Sequence, residues 1–61
     1  MKKYKFILDI SKQTPRYPGM YFTKTIKASD KYEAFSIFCE AIERDGRFLA
    51  IEDDMYHEEL D

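Results

Sequence analysis

Apolar positions recur along this chain with two different periods, and the changes between them mark out its elements. Residues 3–10 alternate, with Tyr4, Phe6, Leu8 and Ile10 on one side and Lys3, Lys5, Ile7 and Asp9 on the other. A period of two is that of a half-buried strand. Residues 20–28, MYFTKTIKA, are rich in aromatic and β-branched side chains and predict a second strand. Met20, Phe22, Lys24, Ile26 and Ala28 share one of its faces, and Tyr21, Thr23, Thr25 and Lys27 share the other. A lysine in the middle of the apolar face places this strand at a sheet edge. There its long stem can lie over the core while the ammonium reaches water.

Between Asp30 and Gly46 the period lengthens to that of a helix. Ala34, Phe35, Ile37, Phe38, Ala41 and Ile42 gather on one side, opposite Glu33, Ser36, Glu40, Glu43 and Arg44, with Tyr32 and Cys39 on the border. Ser29 or Asp30 is suited to the N-cap, and Asp30 with Glu33 three residues on has the form of a capping box. Gly46 suits a left-handed C-cap. The apolar run that follows, residues 47–52 (RFLAIE), has the length of a buried strand. For residues 53–61, DDMYHEELD, three readings stand: a fraying tail, a last helical turn capped by Asp53 or Asp54, or a short strand pairing back. A partly ordered acidic tail is the expectation.

The order strand, strand, helix, strand predicts an α+β fold, a two-layer ββαβ sandwich. Its three-stranded antiparallel sheet should have order 2-1-3, with one helix packed on one face. The first strand then lies in the centre and the second, with Lys24, at an edge. The opposite face carries Lys3, Lys5, Ile7, Tyr21, Thr23, Thr25 and Lys27 and is left bare. Between the first two strands, residues 11–19 (SKQTPRYPG) hold both prolines and one of the two glycines, a connection longer than a tight hairpin requires.

Sixty-one residues allow one small domain, residues 1–61, close to the lower limit for independent folding. Five Tyr and five Phe supply large buried areas from few positions. One cysteine permits no internal disulfide, and no Cys/His set exists for a structural zinc. Stability must therefore come from the packed core, from self-association or from a partner. The N-terminus has neither a long apolar run nor a small-residue cleavage site, so neither a signal peptide nor a membrane span is expected. With a single thiol, this gives the expectation of a cytoplasmic protein.

The net charge of −2 hides an asymmetry. Residues 1–31 carry eight Lys/Arg against two acids, and residues 32–61 carry ten acids against two Arg. Such a split can serve a partner, or it can be self-neutralising where acidic segments pack beside basic strands. The second is the expectation for so short a chain.

Little here suggests catalysis. The sole cysteine, Cys39, borders the buried helix face, and the sole histidine, His57, lies in the acidic segment, so a Cys–His pair is not expected. Asp53, Asp54, His57 and Glu58 have metal-ligating types, but they read better as a solvated terminus, and no metal or other cofactor is expected. No glycine-rich phosphate loop is present.

Two binding classes remain. A protein-interaction module, self-association included, is the leading one, because a small sheet is covered on one face only and the loop presents Arg16 and Tyr17 between prolines. The candidate partner-binding residues are Lys5, Arg16, Tyr17, Tyr21 and Lys27. The acidic residues Glu52, Asp53, Asp54, Glu58 and Glu59 form a second candidate surface for a basic partner. The alternative is nucleic-acid binding through the basic, ring-bearing hairpin of residues 3–27. Against it stands an acidic isoelectric point of about 5.3.

Overall fold

A computed structural model describes residues 1–16 and 18–60. In chain order it contains β1 (Lys2–Asp9), β2 (Tyr21–Ala28), α1 (Lys31–Asp45), a single 3-10 turn (Glu52–Asp54) and β3 (Met55–Glu59). The strands form an antiparallel sheet of order β2-β1-β3, with α1 packed on one face. This is the predicted ββαβ fold with the predicted strand order.

β1 is central because its even-numbered side chains are the most apolar row in the chain. Tyr4, Phe6, Leu8 and Ile10 are all buried under the helix layer. β2 contributes Ile26 and Ala28 to the same core, and α1 contributes Ala34, Phe38 and Ile42. Those three helix residues are spaced by four, the single ridge that a helix lays along a sheet. Ile37 was placed in the buried arc by its helical angle, yet it is 38% exposed, because positions at the flank of that ridge look past the packed layer.

Both helix ends are capped by their own residues. Asp30 Oδ1 accepts from the Glu33 N–H at 2.8 Å, and Glu33 Oε1 in turn accepts from the Ser29 N–H at 3.1 Å. The box thus closes one residue before the N-cap. Gly46, at φ 74°, ends the helix and donates its N–H to the Ile42 carbonyl at 3.2 Å.

A row of rings runs across the inner face from one sheet edge to the other. Phe48 meets Phe22 at 6.2 Å between centroids, Phe22 meets Phe38 at 5.9 Å, Phe38 meets Phe6 at 5.3 Å, and Phe6 meets His57 at 5.5 Å. All four spacings are those of favourable aromatic pairs.

The third strand corrects the sequence reading. It is formed by Met55–Glu59 from the acidic segment, and residues 47–51 are irregular. The cause is geometric. α1 packs over β1 and β2, so the chain leaving Gly46 must cross the end of the sheet before reaching the far edge of β1. The crossing can be followed by its contacts. Phe48 lies on Phe22 of β2, Leu49 is held by Gln13 beyond the end of β1, and Asp54 pairs with Lys12. The apolar run is spent on this crossing, with Leu49 70% exposed. Of the three readings of the acidic segment, the strand pairing back is the one observed.

Candidate functional site

Cross-strand partners point to the same side of a sheet, so the registers define the bare face. Lys3 stands opposite Lys27, Lys5 opposite Thr25, Ile7 opposite Thr23, and Asp9 opposite Tyr21. On the other side of β1, Glu58 stands opposite Lys5 and Tyr56 opposite Ile7. The centre of this face is therefore a half-buried Ile7 flanked by Thr23 and Tyr56, with the Tyr21 ring beyond Asp9. Tyr21 is 57% exposed and Tyr56 54% exposed.

Of the predicted partner-binding residues, Lys5, Tyr21 and Lys27 share this face. Arg16 lies apart in the loop before β2, where its N–H donates to Thr14 Oγ1 at 3.2 Å. Tyr17 lies outside the described residues. Tyr56 belongs to the face but was missed, because it sits in a segment expected to be a tail. The alternation of Met55 and His57 with Tyr56 and Glu58 was the available signal.

The predicted acidic surface is divided by the fold. Asp54 is buried, with Oδ1 3.3 Å from Lys12 Nζ. Glu59 Oε1 lies 3.3 Å from Lys2 Nζ. Glu58 is on the bare face beside Lys5, while Glu52 and Asp53 are exposed in the 3-10 turn. Hydrogen bonding to these carboxylates raises the pKa of Lys2 and of Lys12 above the usual lysine value. The basic and acidic halves of the sequence thus neutralise one another in part, through β1 and β3.

The helix layer leaves a second opening. Because α1 covers β1 and β2, a cleft of about 350 Å³ lies between the helix and β3. Phe6 and Phe35 lie 6.2 Å apart along it, and Met55, Tyr56, His57, Glu52, Tyr32 and Lys31 complete its walls. A second hollow of about 480 Å³ shares Lys31, Tyr32 and His57 and extends the opening toward Tyr4 and Glu59. The two hollows together border β3, the first floored by Phe6 and Phe35 and the second ringed by Lys2, Asp30, Lys31 and Glu59.

The groups considered for catalysis have environments of their own. Burial, followed by the charges of Glu43 and Glu52, pushes the Cys39 thiol above its usual pKa, opposite to what an activated nucleophile requires. His57 is stacked on Phe6. Among the described residues, no three His, Cys, Asp or Glu side chains come together as a metal site. No helix among them is long and apolar enough to cross a membrane.

No protein-family model, curated protein or solved structure matches the chain.

Proposed function

We propose that this domain is a non-enzymatic, cytoplasmic protein-interaction module that binds another chain, a second copy included, through the bare sheet face. One observation carries the reading. The face groups two exposed tyrosines around Ile7 and mixes Lys5, Glu58 and Asp9 among them. A surface with large rings at its centre and both signs of charge around them has the composition of a protein interface. The test is capture of partners after nuclease treatment, comparing the native domain with a Tyr21→Ser/Tyr56→Ser double variant. Retention by the native domain and loss by the variant support the reading, and equal retention by both sinks it. Light scattering separates the homotypic case: a monomer at high concentration restricts the partner to a different protein.

Nucleic acid is the second reading, favoured by the placement of Lys3 directly opposite Lys27 with Lys5 beside them. Glu58 next to Lys5 weakens this reading, since a carboxylate repels the phosphates that Lys5 would hold. Recovery of nucleic acid with the domain, falling steeply with added salt, would favour it over the first.

A further inference from the structure

β3 is an edge strand, and its register fixes which of its main-chain groups are free. Leu60 donates its N–H to the Lys3 carbonyl at 2.8 Å. Hydrogen-bonded pairs in an antiparallel ladder recur every second residue, so Glu58 and Tyr56 also turn their main chain toward β1. Met55, His57 and Glu59 then turn theirs outward. The Met55 N–H is taken by the Glu52 carbonyl. Among the described residues, the outward groups of His57 and Glu59 meet no partner.

The side chains of these same residues lie on the helix side, where the α1–β3 cleft opens. A strand added at this edge would bond its main chain to His57. The residue opposite His57 would then place its side chain on the cleft side as well. The other edge is built differently. β2 carries Lys24 in the middle of its helix-facing row, which blunts pairing there.

We propose that the free edge of β3 binds an extended segment of a partner protein as a fourth strand. An apolar side chain of that segment enters the cleft over Phe6 and Phe35, and Lys or Arg residues flank it. The flanking charge follows from Glu52, which lines the cleft, and from exposed Asp53 beside it. A second copy is a poor occupant. Among the described residues the basic edge strand is β2, and Phe22 and Ile26 of its helix-facing row are packed into its own core, so that row has no apolar side chain to place in the cleft. The inference rests on the domain being a protein-binding module, but it uses a different surface from the bare face.

The experiment is selection from a random dodecapeptide library on the native domain, with the selected peptides synthesised and titrated into ¹⁵N-labelled protein. The expected peptides carry an apolar residue between basic ones and shift the His57 and Glu59 amides. Methylating the peptide nitrogen that bonds His57 should weaken binding about tenfold, the loss of one well-formed hydrogen bond. His57→Pro deletes the outward N–H and should bind about tenfold more weakly than His57→Ala, which keeps it. The methylated peptide tests the companion bond of the pair, from the peptide N–H to the His57 carbonyl, with no change to the protein. Selected peptides that shift Lys5, Tyr21 and Lys27 instead would overturn this inference and leave the bare-face reading standing. Failure to select any peptide overturns it, as does a concentration-dependent oligomer that protects the His57 amide without peptide.

Discussion

The side-chain amide of Gln13 grips the main chain of Leu49 at both polar groups. Gln13 Nε2 donates to the Leu49 carbonyl at 2.6 Å, and Gln13 Oε1 accepts from the Leu49 N–H at 2.7 Å. One side chain thus stands in for a rung of β-ladder between segments 36 residues apart. It fixes the crossing loop to the hairpin loop where no strand pairing reaches. Gln13→Ala should lower stability by about 1–2 kcal/mol in urea denaturation, the net worth of two partly exposed hydrogen bonds. Gln13→Glu keeps the acceptor, loses the donor and sets a carboxylate against a carbonyl. Its deficit at neutral pH should therefore shrink on acidification, when the protonated acid can donate again.

Phe38 lies at the middle of the ring row, fully buried between Phe6 and Phe22. Phe38→Ala should cost about 3–5 kcal/mol, which for a domain of this size means a largely unfolded chain by circular dichroism. Phe38→Leu keeps most of the volume and should remain folded with a lower melting temperature. A folded Phe38→Ala domain of undiminished stability would contradict the packing of α1 on the sheet.

Gly46 isolates a backbone effect. A Cβ placed there meets nothing within 4 Å, so any penalty comes from its φ of 74° alone. Gly46→Ala should cost about 1 kcal/mol, and Gly46→Asn less, because Asn tolerates the left-handed region better. The comparison by denaturant midpoint needs no correction for steric clash.

The pH dependence of stability follows from four side chains. Hydrogen bonds from Ser11 to Asp9 and from Arg47 to Asp45 hold both carboxyls below the ordinary 3.8. A depressed folded-state pKa gives stability that is present above 3.8 and lost as pH falls through the lower folded value. Lys2 and Lys12, held above the ordinary 10.5 by Glu59 and Asp54, give stability that is present below 10.5. That contribution is lost as pH rises through the higher folded value. Denaturation midpoints across pH should therefore fall at both extremes. Ser11→Ala should flatten the acid limb and Glu59→Gln the alkaline one.

The elements that the chain specifies locally were legible from residue order. The alternation from Tyr4 to Ile10, the Lys24 edge signal, the Asp30–Glu33 cap and the Gly46 stop each depend on near neighbours, and each is found in place. β3 was misplaced because its stability is not local. Its residues are mostly exposed, whereas the apolar run of residues 47–52 has the local pattern of a strand. What holds β3 is its partner strand, through Lys2 with Glu59, Lys5 beside Glu58, and His57 stacked on Phe6. The bare face was foreseen from β1 and β2, which supplied Lys5, Tyr21 and Lys27. Tyr56 and the α1–β3 cleft depend on where the third strand lies and on how far the helix reaches.

That helix reach also divides the chain by how far each element must look for its partners. β1, β2 and α1 are consecutive and can close their shared core without waiting for distant chain. β3 lies at an edge that the helix does not clamp. The last strand is thus held by its ladder, the Lys2–Glu59 ion pair and one ring stack, the fewest holds of any element. The β3 amides should therefore exchange with deuterium sooner than those of β1 and α1, which lie in the shared core.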